Sequence, residues 1–257
     1  MSETGTAIKA KPIWVDLASP DVDASTAFYS GLFGWERVDL GPEAGGYKLM
    51  NLDGKVAAAV NPLSEGQYPA WTVYFGTGDA AGLAGKVEAA GGKVVMPAFA
   101  VLDAGTMAVF QDPGGAFFSV WQPDTMKGFD VAQVANSFGW AELNTRDLKG
   151  AEAFYPKVFG WGIDHGPMGD NSSEAGMYTM WTLDGEQVGG GFDMAGMPAE
   201  VPAMWLVYFA VPDVDAAAAK VKELGGSVAR EPADYPGGRF AVVSDVNGSV
   251  FAIMRAG

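Results

Sequence analysis

The chain has 257 residues, of which 49% are hydrophobic and 18% charged, so it is long enough to fold as one or two globular domains. Its 31 Asp and Glu residues outnumber 16 Lys and Arg, and the formal net charge of −15 disfavours binding to nucleic acid or to an anionic membrane. There is no cysteine and only one histidine, His165, which excludes disulfides, thiolate chemistry and any metal site that needs two histidines.

The N-terminal residues 1–11 lack the apolar segment of a signal peptide, and we interpret them as a disordered lead. Glycine, proline and charged residues interrupt every apolar run of the chain, so no membrane-spanning helix is predicted. We therefore expect a cytoplasmic protein.

The strongest pattern in the sequence is an internal repeat. Residues 14–35 and 140–161 agree at nine of 22 positions without a gap, and shorter matches continue along both halves. We predict a first domain over residues 12–123, a linker over 124–137 and a second domain over 138–257.

Each repeat contains the pattern strand, helix, strands twice over. The helix that starts at Asp21 has a capping carboxylate and a glycine, Gly34, at its end. In chain order, the first repeat predicts strand 12–18, helix 21–33, strands 46–52 and 55–60, strand 70–76, helix 79–90, and strands 93–96, 106–111 and 116–121. The second repeat predicts a helix over 213–224 and strands over 238–244 and 249–254. This order is typical of an α+β fold with largely antiparallel sheets.

Several short motifs occur in this order and give the chain a family resemblance. They are Asp21-x6-Phe28-Tyr29, Phe33-Gly34-Trp35, Gly91-Gly92 and Asp112-Pro113-Gly114-Gly115. The chain resembles the vicinal oxygen chelate superfamily, which includes glyoxalase I, extradiol dioxygenases and bleomycin-resistance proteins. The resemblance implies two tandem domains, each of paired βαβββ modules that form an open curved sheet around a cavity.

The resemblance also implies where metal ligands would stand. The first-strand ligand position holds Trp14 in one repeat and Trp140 in the other, and the position of the usual carboxylate ligand holds Ser119 and Ala252. The segments 71–75 and 205–209, where the family has a further His, contain no His, Asp or Glu. We therefore expect no metal ion and no other cofactor in either cavity.

Two carboxylates are the candidates for chemistry. Asp16 and Glu142 lie two residues after the paired tryptophans and should share their face of the strand. A carboxylate among apolar residues can have a raised pKa and act as a general acid or base, or accept a hydrogen bond from a ligand. The alternative is that each caps a loop or pairs with an arginine.

Aromatic and methionine side chains on the predicted strands are candidates for the cavity walls, although packing in the core is the alternative for each of them. The candidates are Trp14, Tyr47, Met50, Tyr74 and Trp121 in the first domain, with Trp140, Asn144, Tyr178, Met180, Tyr208 and Met254 in the second. Arg239 is predicted either to bind an anionic ligand group or to form a structural ion pair.

The remaining features are interpreted as structural. His165 lies in a Gly- and Asp-rich stretch that is predicted to be a loop and is five residues longer than its counterpart, so it is a candidate lid. The runs 189–191 and 237–238 are predicted to be tight turns and close backbone approaches.

Two functions fit these observations. The first is a metal-independent protein, similar to bleomycin-resistance proteins, that binds a hydrophobic or aromatic small molecule such as an antibiotic or secondary metabolite. The second is a metal-independent enzyme of secondary metabolism, an isomerase, cyclase, lyase or hydroxylase-like protein, in which Asp16 or Glu142 moves a proton. We expect the two domains to form an intramolecular pseudo-dimer, and the chain to be a monomer or a homodimer.

Overall fold

The computed structural model describes residues 8–167 and 177–256. The first half contains strands β1 (Pro12–Ser19), β2 (Glu36–Asp39), β3 (Lys48–Leu52), β4 (Lys55–Pro62), β5 (Ala70–Gly76), β6 (Lys93–Val101), β7 (Gly105–Gln111) and β8 (Phe117–Pro123), with helices α1 (Val22–Phe33) and α2 (Leu83–Ala89). The second half contains β9 (Phe138–Thr145), β10 (Gly162–Pro167), β11 (Met177–Leu183), β12 (Glu186–Asp193), β13 (Met204–Ala210), β14 (Ser227–Tyr235), β15 (Gly238–Ser244) and β16 (Val250–Ala256), with α3 (Leu148–Phe159) and α4 (Val214–Glu223).

Both halves have the same topology, an eight-stranded sheet in an α+β domain. The order in the first sheet is β2-β3-β4-β1-β5-β8-β7-β6, and the second sheet repeats it with β10 to β16 and β9 in the equivalent places. The pairs β1–β4 and β5–β8 are parallel and the other pairs are antiparallel. The predicted fold of two tandem domains, each of two βαβββ modules, is confirmed.

The first helix of each domain is bounded as its sequence predicts. The Asp21 carboxylate accepts a hydrogen bond from the Ala24 amide at 2.9 Å, and Gly34 ends α1 in the left-handed conformation with φ 74°. Asp147 and Gly160 do the same for α3, with a 2.9 Å capping bond and φ 74°. The first helix of each domain therefore begins and ends at its capping residues.

Several elements of the structure differ from the prediction, including β6, which continues to Val101 instead of ending at residue 96. Strand β2 was not predicted, because its four residues are mostly exposed and lack an apolar alternation. Helix α2 begins at Leu83 rather than at Asp79, because the Asp79 carboxylate accepts a bond from the Gly82 amide at 2.8 Å and forms a separate turn. The prediction of a loop at His165 is also wrong, because His165 lies in β10 and pairs with Thr179 of β11.

Part of the predicted disordered lead is ordered. The carbonyl oxygen of Ala10 accepts a hydrogen bond from the Trp161 indole at 2.6 Å, and Lys9 pairs with Asp184 at 3.2 Å. The prediction is therefore wrong for these residues, whereas residues 1–7 lie outside the described part of the chain. The candidate lid also falls largely outside it, at residues 168–176.

One hydrophobic core spans both domains and lies on the helix-bearing faces of the two sheets. Helix α1 packs Phe28 against Phe251 of the second domain, with ring centroids 6.3 Å apart. The exchange is reciprocal, since Tyr155 of α3 packs against Phe118 of the first domain at 5.7 Å. The opposite faces of the sheets, which carry separate small clusters, are called here the first cup and the second cup.

Within residues 8–167 and 177–256, no helix combines the length and the apolar character that crossing a membrane requires.

Candidate functional site

Four side chains form a hydrogen-bonded group on the floor of the first cup. Asp16 on β1 accepts hydrogen bonds from the hydroxyls of Tyr47 at 3.1 Å and Tyr74 at 3.0 Å. The Trp14 indole in turn donates to the Tyr47 hydroxyl at 3.0 Å. Trp14 and Asp16 share a face because they are two residues apart on one strand. We call this group the first quartet.

The second cup repeats this arrangement with a glutamate. Glu142 on β9 accepts from the hydroxyls of Tyr178 at 2.8 Å and Tyr208 at 2.9 Å, and the Trp140 indole donates to Tyr178 at 3.1 Å. Asn144 adds a further donor to Glu142 at 3.2 Å. We call the four residues Trp140, Glu142, Tyr178 and Tyr208 the second quartet. Each carboxylate is thus held by tyrosine hydroxyls, and among the described residues neither forms an ion pair with an arginine.

Gly190 makes room for the second quartet. A methyl group at Gly190 would lie 1.7 Å from the Tyr178 hydroxyl oxygen. Gly190 is inside β12, directly beside Glu142 in the parallel pairing. The prediction of close backbone approach at residues 189–191 is confirmed, whereas the prediction of a turn there is wrong, because these residues lie within a strand.

The positions of the family's metal ligands are adjacent in this fold, but their side chains do not fit a metal ion. Tyr74 pairs with Trp14 on one side and with Ser119 on the other. In the second cup Tyr208 pairs with Trp140 and with Ala252. Indole and methyl groups offer a divalent ion no ligand, and the single hydroxyl of Ser119 does not make a ligand set. Within residues 8–167 and 177–256, no group of three or more His, Cys, Asp or Glu is arranged to hold a metal.

The two quartets differ in exposure. In the first cup Trp14 is 2% exposed and Asp16 is 6% exposed, whereas Trp140 and Glu142 are both half-buried. The floor of the second cup is therefore more accessible than that of the first, although the hydrogen bonds are equivalent.

The linker contributes to covering the first cup. The Trp121 indole donates to the carbonyl oxygen of Met126 at 2.9 Å, and the ring of Phe129 lies 5.7 Å from that of Trp14. Met107 and Leu49 pack in the same cluster. The predicted wall residues Trp14 and Trp121 thus fill the first cup rather than line an open cavity.

Burial raises the pKa of both carboxylates. The pKa of Asp16 rises to about 6 because burial disfavours its charged form, although the Tyr74 and Tyr47 hydroxyls oppose the change. Burial likewise raises the pKa of Glu142, against its hydroxyl and amide donors and the charge of Arg230. Each site therefore combines a carboxylate of raised proton affinity with neighbouring hydroxyl groups.

Two predicted site residues lie on the wrong face. Met50 is fully buried in the interdomain core, whereas Leu49 packs in the first cup. Arg239 forms ion pairs with Asp215 at 2.8 Å and with Asp234 at 2.9 Å, so it is the structural ion pair of the two alternatives. Neither residue contributes to a cup.

The other predicted residues of the second cup lie on its face. Met254 packs in the cluster that contains Tyr208. Met180 lies on the same face of β11 as Tyr178, and its sulfur accepts a hydrogen bond from the Gln187 amide at 3.1 Å.

The outer wall of the second cup contains residues that were not predicted from the sequence. Phe240 lies 6.1 Å from Tyr208 and 5.7 Å from Tyr235, measured between ring centroids. The guanidinium carbon of Arg230 lies 4.5 Å from the centroid of Phe240. The alternation of side chains along β15 could have predicted this position. Ala241 faces the core, so its neighbour Phe240 faces the cup.

Sequence comparison shows the family directly. The profile of the Glyoxalase/Bleomycin resistance protein/Dioxygenase superfamily matches residues 11–120 and again 137–253, and the chain belongs to this family. It is 42% identical to the anthracycline biosynthesis protein DnrV of Streptomyces peucetius, over 95% of this chain and 92% of the relative. It is 39% identical to the putative glyoxylase CFP32 of Mycobacterium tuberculosis, over 95% of this chain and 94% of that protein.

Solved structures share the fold at low sequence identity. The Mn(II)-bound glyoxalase from Novosphingobium aromaticivorans matches with a TM-score of 0.67 and 18% identity, over 97% of this chain and 83% of the other. The 2,3-dioxygenase LapB from Pseudomonas sp. KL28 matches with a TM-score of 0.65 and 12% identity, over 98% and 94% of the two chains. At this identity the likeness concerns the fold alone.

Proposed function

We propose that the protein binds a hydroxylated aromatic small molecule of secondary metabolism in its second cup, without a metal ion. The observation that carries the proposal is the accessible second quartet, in which a half-buried carboxylate lies beside a half-buried indole. Glu142 is able to accept a hydrogen bond from a ligand hydroxyl, and Trp140 offers an aromatic surface for a planar ligand. The similarity to a protein named for anthracycline biosynthesis supports a ligand of this class.

In this proposal the first cup binds no ligand, because packed side chains cover its floor. Its quartet has the same hydrogen bonds, but Trp121 and the linker cover it. A ligand would have to displace the packed Trp14 and Phe129 before it reached Asp16, so the proposal assigns one ligand to each chain.

A second candidate function is proton transfer in the same cup. It is favoured by the raised pKa of Glu142, which is a property of a general acid or base, and by the hydroxyls of Tyr178 and Tyr208 beside it. Asp16 is the weaker candidate for this role because it is covered. An isomerisation or cyclisation of the bound molecule would need only such a proton transfer.

Tryptophan fluorescence tests the binding function. A hydroxylated anthraquinone is titrated into protein treated with a chelator, and we expect quenching with one binding event per chain. In Trp140→Phe the quenching should fall strongly, whereas the matched variant Trp14→Phe should retain it. Quenching that is lost in Trp14→Phe and kept in Trp140→Phe would contradict the assignment to the second cup.

Mass spectrometry separates the two candidate functions. If the protein only binds, the anthraquinone is recovered unchanged after prolonged incubation. A product that forms with the protein and disappears with Glu142→Gln would instead establish the proton-transfer function.

A further inference from the structure

Arg230 lies on the wall of the second cup. It is on β14 opposite Val242, whose side chain packs in the cluster of the second cup with Tyr208 and Phe240. Its guanidinium carbon lies 4.5 Å from the centroid of Phe240, which holds the planar group against an aromatic face. The same ring packs against Tyr208, whose hydroxyl donates to Glu142 at 2.9 Å. Contacts thus link the cation to the floor of the cup.

Among the described residues, the charge of Arg230 opposes the raised pKa of Glu142 but is not neutralised in an ion pair. Its guanidinium forms no ion pair with any described carboxylate, and the side chain is exposed. Arg239, on the opposite face of the same domain, is by contrast paired with two aspartates. Ion pairing with the described residues therefore does not account for the position of Arg230.

The first cup has no cation at the equivalent place. Met96 of β6 pairs with Val109 of β7, as Arg230 of β14 pairs with Val242 of β15. At this pair of equivalent, described positions, the cation is thus on the side of the cup whose carboxylate is accessible, which is the cup expected to take a ligand.

We propose that Arg230 binds the carboxylate of the ligand while Glu142 accepts a hydrogen bond from its hydroxyl, so that the ligand class is a hydroxylated aromatic carboxylic acid. This inference rests on the proposed function of the second cup. A guanidinium group stays charged and presents parallel N–H donors that match a carboxylate. Because the protein carries a net charge of −15, an anionic ligand needs such a local cation.

Paired probes test the inference. The affinities of a hydroxylated anthraquinone carboxylic acid and of its methyl ester are measured by calorimetry for the wild type and for Arg230→Met, which copies the residue of the first cup. We expect the wild type to bind the acid at least about tenfold more tightly than the ester. Arg230→Met should lose this preference and keep its affinity for the ester.

A charge-matched variant provides the control. Arg239→Met removes one cation from the same domain on the face away from the cup, and it should keep the preference for the acid. Equal affinity of the wild type for acid and ester, or an unchanged preference in Arg230→Met, would overturn the role of Arg230 and leave binding in the second cup intact. Failure of both probes to bind the wild type would overturn the proposed function itself.

Discussion

Glu142 and Asp16 occupy equivalent positions in the two sheets, but they differ in exposure and in the groups that surround them. Both accept hydrogen bonds from two tyrosine hydroxyls, and burial raises the pKa of both. Of the two, only Glu142 is partly exposed, and the wall of the second cup beside it is aromatic and cationic. A substitution at each position should therefore have a different effect.

Removing the charge of Glu142 tests its role as an acceptor. We expect Glu142→Gln to weaken binding of the hydroxylated anthraquinone about tenfold, because an amide accepts a hydrogen bond less strongly than a carboxylate. Asp16→Asn is the matched control and should leave the affinity unchanged. Equal losses in the two variants, measured by calorimetry, would contradict the difference between the cups.

The raised pKa of Asp16 predicts a pH-dependent difference in stability. Because the folded protein holds this proton more tightly than the unfolded chain, the contribution of Asp16 to stability is present at low pH and lost as the pH rises from 3.8 to about 6. The shift corresponds to about 3 kcal/mol. Relative to the wild type, Asp16→Asn should therefore gain about this free energy of unfolding between about pH 4 and pH 6.

Urea unfolding of both proteins across this pH range measures the difference. Above pH 7 the two curves should run parallel, because the Asp16 carboxyl is then ionised in both the folded and the unfolded state. Curves that stay parallel from pH 4 to pH 8 would contradict the raised pKa.

The limits of sequence-based prediction are visible at single residues. The two-residue spacing correctly placed Trp14 with Asp16 and Trp140 with Glu142, because strands alternate strictly. Tyr47 and Met50 are three residues apart, so they lie on opposite faces, and the prediction of Met50 in the wall failed. The exposure that separates the two quartets depends on contacts from distant segments, which spacing alone does not predict.

At the scale of the elements, the first helix of each domain is held by polar contacts with the other domain. Tyr29 of α1 donates to Asp245 at 3.2 Å and accepts from the Trp71 indole at 2.9 Å. Tyr155 of α3 donates in the same way to Asp112 at 2.9 Å. The motifs that gave the family resemblance are thus largely interface residues.

Breaking one of these contacts should destabilise the protein. Tyr29→Phe leaves the Trp71 indole without its acceptor and removes one of the two hydroxyls that donate to the same Asp245 oxygen, and we expect a loss of about 1–3 kcal/mol in the free energy of unfolding. Tyr68→Phe is the control, because Tyr68 is 86% exposed. Additive effects of Tyr29→Phe and Asp245→Asn in a double-mutant cycle would contradict the coupling across the interface.

Gly226 allows the helix of one domain to approach the sheet of the other. A methyl group there would lie 2.9 Å from Phe28 and 2.4 Å from the carbonyl oxygen of Ser244. We expect Gly226→Ala to destabilise the protein by about 1–3 kcal/mol through overpacking, as measured by urea unfolding. Gly85→Ala is the control, since nothing lies within 4 Å of that position and alanine favours α2. Similar stability of the two variants would contradict the close approach.

At the scale of the whole molecule, the repeat predicted the architecture well. The same motifs occur in the same order in both halves of the sequence, and each half has its own helix caps and turns. This repetition is sufficient to indicate two similar sheets. The short strands β2 and β10 escaped prediction because they lie at the edges of the sheets and lack a clear apolar pattern.

The positions of the family's metal ligands predict a protein that works without a divalent ion. Trp14 with Ser119, and Trp140 with Ala252, occupy these positions and supply no set of oxygen or nitrogen ligands. We expect elemental analysis of protein purified without chelators to find no stoichiometric divalent ion, and added Mn²⁺ to leave binding of the anthraquinone unchanged. One tightly held ion per chain would contradict this prediction.

The most direct measurement is a crystal structure of the protein grown with the hydroxylated anthraquinone. The ligand is expected in the second cup alone, with its ring against Trp140 and a hydroxyl within hydrogen-bonding distance of Glu142. A ligand bound beside Asp16 in the first cup, or one held by a metal ion, would contradict the central claim.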